Sequence, residues 1–194
     1  MFDDMIFRLV FAVLAILLYM NHHVLHRRPP SKTKAVQASR LETWLIWFLF
    51  IWTGTLVLYV TGIGLSYYQL PLPLGARWIG AGLMLLCVPM SQWIYYTLGV
   101  HFSKKLELRS DHQLVKEGPY RYVRHPMYTT LFVCALATCL VTASALTLAS
   151  AVVVAALMLA RIKKEEAMLI SRFGDSYLAY MRGTGALLPR LRMT

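Results

Sequence analysis

Long apolar stretches alternate with short polar, basic segments along this chain. Residues 5–20 are apolar except for Arg8, residues 44–59 are apolar and carry Trp44, Trp47 and Trp52, and residues 78–98 are apolar with Pro89 inside. Each is long enough, with its flanks, to cross a hydrocarbon core of ~30 Å as a helix. Arg8 sits near one end, where a long side chain snorkels toward the interface. Pro71 and Pro73 make residues 67–75 an extended turn, and Pro89 is expected to kink the third span. Residues 126–160 form an uncharged stretch of 35 residues. A single helix of that length would be ~52 Å long. Two short helices folding back near Thr142, Ala143 and Ser144 fit the bilayer better. The pattern therefore predicts five spans, with four as the rival. Beyond them, residues 161–181 are amphipathic, with Ile162, Met168, Leu169, Phe173, Tyr177 and Tyr180 at roughly helical spacing. Phe173-Gly174-Asp175 marks a break between two short helices.

Composition strengthens this reading. Of 194 residues, 58% are hydrophobic and only 15% are charged, too apolar for an ordinary soluble domain. The net charge of +11 first points to nucleic acid, but the Lys and Arg flank apolar spans instead of lining one soluble face, which excludes a nucleic-acid partner. Five Lys/Arg fall in residues 21–40, one (Arg77) in 67–77, six in 99–124 and seven from Arg161 onward. Rich and poor segments alternate as five spans require. The positive-inside rule then puts the N-terminus outside and the C-terminus in the cytoplasm. The expected protein is an all-α polytopic integral membrane protein in one domain. Residues 1–98 supply three N-terminal spans. Residues 99–194 supply the functional half, with a helical hairpin at 126–160 and cytoplasmic C-terminal helices. The acidic start (Asp3, Asp4) does not read as a signal peptide. Cys87, Cys134 and Cys139 lie in apolar runs and read as buried thiols, with no disulfide framework or zinc site.

Two basic segments carry more chemistry than topology demands. One runs from His112-Gln113-Leu114-Val115 through Gly118-Pro119-Tyr120 to Arg124-His125-Pro126-Met127-Tyr128. Pro126 suits the first turn of a helix, which places His125 and Tyr128 at the membrane surface, beside backbone N–H groups that favour an anion. The other is Arg161 to Glu166. Arg161 and Glu165, four residues apart, share a helix face. If residues 126–160 form a hairpin, His125, Tyr128, Arg161 and Glu165 meet at one membrane face.

The order His-Gln-Leu-Val, Gly-Pro-Tyr, Arg-His-Pro-Met-Tyr, Arg-x-x-x-Glu-Glu, Phe-Gly-Asp-x-Tyr closely resembles the isoprenylcysteine carboxyl methyltransferase family over about residues 99–190, in a prokaryotic-type form. Related phospholipid methyltransferases share part of it. The resemblance implies S-adenosylmethionine as methyl donor, with S-adenosylhomocysteine as product, and a lipophilic acceptor entering from the bilayer. It implies that His112, Gln113, Leu114 and Val115 line the donor site largely through backbone, that Tyr120, His125, Pro126, Met127 and Tyr128 complete it, and that Lys105 adds a polar contact. Glu165, with Glu166 beside it, would face the donor. Arg161 would bind the acceptor, making Arg161 and Glu165 the catalytic pair. A carboxylate can pair with the donor's ammonium and an aromatic face can favour its cationic centre. An acceptor carboxylate is already ionised and needs no base, whereas an amine would need one, Glu165 or His125.

Plainer readings compete with these roles. Arg161 and Glu165 can be an interfacial ion pair worth only ~0–1 kcal/mol, Glu166 can be solvated, and His125 can be a helix cap. Tyr122 reads best as a belt aromatic. His22, His23 and His26 lack acidic or Cys partners, so no metal is expected. A phospholipid or amine methyltransferase is the alternative activity. An NADPH-binding reductase of the sterol-reductase type would be longer. A transporter or scaffold would want an acid inside the spans, and none lies between Glu42 and Glu107.

Overall fold

The computed structural model describes residues 2–25, 40–63, 69–98 and 114–190. They form six α-helices: α1 (Phe2–Leu25), α2 (Arg40–Thr61), α3 (Leu74–Leu98), α4 (Pro126–Thr142), α5 (Ala145–Phe173) and α6 (Asp175–Gly183), with a 3-10 turn at Gly118–Arg121 ahead of α4. The chain is an all-α integral membrane protein. By length and composition α1, α2, α3 and α5 can each cross a membrane, and α4 is a shorter apolar helix of 17 residues. Leu9, Trp47, Phe50, Leu86 and Val152 all lie exposed on the outside of the bundle. In water such a surface would aggregate; in lipid it is the ordinary outer face.

The helix at the centre is α4. One core cluster joins Phe7, Phe11 and Leu14 of α1, Tyr59 of α2 and Ala81 and Met84 of α3 to Ala137 and Val141 of α4. A second joins Leu45 and Trp52 of α2 and Ala151, Val154 and Met158 of α5 to Ala135 and Cys139 of α4. Small residues permit this closeness, as is usual between helices in lipid. A Cβ added at Gly80 of α3 would lie 2.8 Å from the Ala137 carbonyl oxygen of α4.

Between α4 and α5 the chain reverses in two residues. Ala143 takes the left-handed conformation at φ 47°, and its N–H closes α4 on the Cys139 carbonyl at 2.9 Å. The Ser144 hydroxyl accepts the Thr147 N–H and so caps α5. The Leu70 N–H donates to the Ala143 carbonyl at 2.6 Å, which ties the Pro71–Pro73 region to this turn.

Several boundaries differ from the hydropathy reading, and α2 already starts at Arg40. The first helix continues past residue 20 to Leu25. Residues 161–173 extend α5 instead of forming a separate short helix, because nothing breaks the backbone before Gly174. The third helix starts at Leu74, not at Trp78, because the Pro73 carbonyl already accepts the Ala76 N–H at 3.0 Å.

That last shift takes Arg77 out of the loop. Its side chain is buried, and each guanidinium nitrogen finds a different helix. Nη1 meets Asp4 Oδ1 of α1 at 2.8 Å, Nη2 donates to the Tyr59 hydroxyl of α2 at 3.1 Å, and Nε donates to the Val141 carbonyl of α4 at 3.1 Å. The cation also lies 4.0 Å from the Phe7 ring centroid. Four helix ends are thus fastened at one point. Removing Arg77 takes the donor from the buried Tyr59 hydroxyl and Val141 carbonyl and leaves Asp4 without its counter-ion. Arg77→Met should lower the unfolding free energy in mixed micelles by about 3–5 kcal/mol, and Asp4→Asn, which keeps an acceptor, should lose less. Equal stability of wild type and Arg77→Met would contradict this clamp.

Candidate active site

The opposite end of α4 holds the residues singled out by the motifs. Pro126 begins α4, and His125 stands before it in a non-helical conformation, φ −124° and ψ 60°. Glu165 and Glu166 lie on α5, some forty positions later. The α4–α5 reversal brings the two ends together. The Tyr128 hydroxyl donates to Glu165 Oε2 at 2.8 Å. His125 Nε2 lies 3.1 Å from Glu166 Oε1 and its ring is edge-on to Tyr128 at 5.7 Å. Arg161, one turn before Glu165, acts electrostatically on the Tyr128 hydroxyl. His125, Tyr128, Arg161, Glu165 and Glu166 therefore share one end of the bundle.

The two glutamates are used differently. Glu166 Oε1 receives Arg124 Nε at 2.9 Å and Arg124 Nη2 at 2.8 Å in addition to His125. The Arg124 and Glu166 side chains are only 9% and 18% exposed, so this charge-assisted arrangement works in a low dielectric. Glu166 is engaged three times through the one oxygen Oε1. Glu165 meets Tyr128 through one oxygen and keeps partial exposure.

Sequence reasoning missed the residues that hold this arrangement in place. After α6 the chain turns back as a strap across the start of α4. The Arg124 N–H donates to the Gly185 carbonyl at 2.8 Å, the His125 N–H to the Ala186 carbonyl at 3.0 Å, and the Thr129 hydroxyl to the Leu187 carbonyl at 2.8 Å. Arg124 Nη1 donates to the carbonyls of Met181 and Thr184. The N–H groups of Arg124 and His125 are thus not open to an anion, because the strap carbonyls take them first. The Arg-His-Pro motif itself contained Arg124, but its charge looked like one more topology signal. The strap has no periodicity to announce it.

Tyr120 is positioned by α6, whose Tyr180 hydroxyl donates to the Tyr120 carbonyl at 2.5 Å. Just before it, Gly118 adopts φ +55° close against Thr97 of α3, where a Cβ would lie 2.5 Å from the Thr97 hydroxyl oxygen. Burial, and then the Glu165 charge, push the Tyr120 phenol above its ordinary range. Burial pushes Tyr180 up to about 12, with Arg124 opposing. Burial and the charge of Glu166 raise Tyr177 as well. All three stay protonated near neutral pH, where a phenol donates a hydrogen bond. Tyr177 is 1% exposed, and its hydroxyl has no hydrogen-bond partner among the described residues, although Glu165 and Glu166 are both within electrostatic reach.

Leu114, Val115 and Met127 are half-buried, Pro126 is buried, and Tyr122 is exposed. Lys105, His112 and Gln113 lie outside the described residues, as do the side chains of His22, His23 and His26.

Residues 80–171 match the sequence model of the isoprenylcysteine carboxyl methyltransferase (ICMT) family. That span runs from Gly80 of α3 through the site just described. The protein-S-isoprenylcysteine O-methyltransferase of Schizosaccharomyces pombe is 41% identical over 80 residues, covering 41% of this chain and 34% of the relative. The enzyme of that name from Dictyostelium discoideum is 27% identical over 163 residues, covering 82% of this chain and 61% of the relative. That of Saccharomyces cerevisiae is 36% identical over 97 residues, covering 48% and 41%. The chain thus spans between about a third and three fifths of the length of these curated relatives. Its fold is similar to that of a solved eukaryotic intramembrane Ras methyltransferase ICMT, with a TM-score of 0.59 at 20% identity, over 93% of this chain and 63% of that one.

Breaking the Glu166 anchor should loosen the strap before it unfolds the bundle. In Glu166→Ala, amide hydrogen exchange at Arg124 and His125 should quicken at least about tenfold, a loss of about 1.4 kcal/mol of local protection. Unchanged exchange at both amides would refute the anchor.

Proposed function

We propose that the chain belongs to this family and is an S-adenosylmethionine-dependent methyltransferase that esterifies a carboxylate on a lipophilic acceptor. The observation that carries the proposal is the Tyr128–Glu165 contact of 2.8 Å, which joins two motif segments inside the matched region. The prokaryotic type, the kinship with phospholipid methyltransferases, and an N-terminus outside with the site and C-terminus in the cytoplasm are parts of the same proposal. The basic segments on the site side of the bundle support the orientation.

The residues present fit the donor. When bound, it supplies an electrophilic methyl group on a sulfonium centre. Glu165, partly exposed and oriented by Tyr128, pairs with the ammonium group. Tyr120 offers an aromatic face to the cation. The unpartnered Tyr177 hydroxyl is a donor still to be satisfied in that neighbourhood. Leu114, Val115, Pro126 and Met127 shape the wall, and Lys105, His112 and Gln113 complete it in this proposal.

Arg161 holds the acceptor carboxylate. A guanidinium does this bidentately and stays charged, and the acceptor needs no base because a carboxylic acid ionises near pH ~4. Glu166 and Arg124 position the site without touching either reactant. Alignment of the reactants is the main source of acceleration, worth up to ~7–11 kcal/mol. α4 is about 25 Å long at 1.5 Å per residue, so its His125 end falls near the edge of a ~30 Å core. A water-soluble donor and a bilayer-borne acceptor can meet there.

Calorimetric titration with S-adenosylmethionine, paired with a methyl-transfer assay on a prenylcysteine acid, tests the roles. Glu165→Gln should weaken donor binding by about tenfold, or about 1.4 kcal/mol. Arg161→Ala should leave donor binding intact and lower transfer by about a hundredfold, the penalty of a misplaced reactant. Normal transfer by both variants would sink the proposal.

A further inference from the structure

Beside Arg124, α6 and the strap line an open cavity of about 300 Å³ formed by Arg124, Leu178, Met181, Arg182 and Arg190. Its size sits at the lower end of small-ligand sites, roughly 300–1,000 Å³. Three of five lining residues are arginines and none is acidic. Arg124 is already neutralised by Glu166 and saturated by carbonyls. Arg182 and Arg190 are exposed and have no acidic partner among the described residues. Arg190 Nη1 donates to the Arg182 carbonyl, which folds the strap end against the end of α6 and brings the two guanidinium groups to one cavity. Leu178 and Met181 are three apart and form an apolar wall on the same helix face.

We propose that this cavity binds a phosphate group, and that its source is the head group of an anionic lipid. Guanidinium groups recognise phosphate oxygens bidentately, and the apolar wall matches the glycerol and first methylenes that accompany a lipid phosphate. The position agrees. α5 has 29 residues, about 43 Å of helix, against a ~30 Å core, so α6 begins where α5 has already left the hydrocarbon. A lipid held there bridges α6 to the strap that fixes Arg124 and His125, on the methyltransferase reading or on any other.

The test uses the full chain in phosphatidylcholine nanodiscs containing a minor fraction of phosphatidylglycerol, with bound lipid counted by native mass spectrometry. Wild type should retain one phosphatidylglycerol. Arg182→Gln/Arg190→Gln should retain it about tenfold less, or about 1.4 kcal/mol. Lys163→Gln/Lys164→Gln removes the same charge from an exposed stretch of α5 and should retain it as wild type does. Retention insensitive to millimolar inorganic phosphate supports the lipid source; retention that phosphate abolishes overturns that source and leaves a site for free phosphate. Equal retention by wild type and the arginine variant, or an equal loss in the lysine control, overturns the site.

Discussion

One carboxylate oxygen sets the geometry of the His125 end of α4. Glu166 Oε1 takes a hydrogen bond from Arg124 Nε, pairs with Arg124 Nη2 at 2.8 Å and lies within bonding distance of His125. Those residues precede α4, and Glu166 belongs to α5, so the contact fixes the height of one helix against the other. Tyr128 is one turn along from Arg124, and Glu165 is the next residue to Glu166. Once the anchor is closed, their contact follows. The Arg124 side chain is only 9% exposed, and the carbonyls around it cannot neutralise its charge, so losing the carboxylate is costly. Glu165 is left free of that structural duty and suited to a ligand.

A second polar clamp balances the first. Arg77 binds α1, α2 and α4 at the other end of the bundle, through Asp4, Tyr59 and the Val141 carbonyl. Between the clamps α4 packs apolar and small residues into two core clusters, while Leu136 faces outward. Lipid tails are as apolar as the helices, so burial alone does not drive helices together in a bilayer; close packing and interhelical hydrogen bonds do. The short central helix pinned at both ends is a physical answer to that constraint.

Much of this was legible in the sequence. A length argument located the reversal near Ala143, because an uncharged run too long for one span has to fold back. The Phe173-Gly174-Asp175 break was legible from Gly174 alone. Proximity of the Tyr128 and Glu165 segments followed from that hairpin. Arg77 was misread because its partner Asp4 is 73 positions away and a charge beside prolines looks like a loop charge. Arg124 was passed over because a basic residue beside a span is usually topology. Glu166 lies one residue past Glu165, 100° around an ideal helix, and no local rule says which glutamate faces a neighbour. The strap at 184–187 works through its carbonyls, which every residue has, so side-chain patterning carries no trace of it.

The most direct test is a double-mutant cycle between Arg124 and Glu166, read by reversible unfolding of Arg124→Met, Glu166→Met and the double variant in the same micelles. The anchor predicts strong coupling, about 1–3 kcal/mol, with the double variant more stable than the sum of the single losses implies. Losses that add to within about 0.5 kcal/mol would mean that the two side chains do not hold α4 to α5.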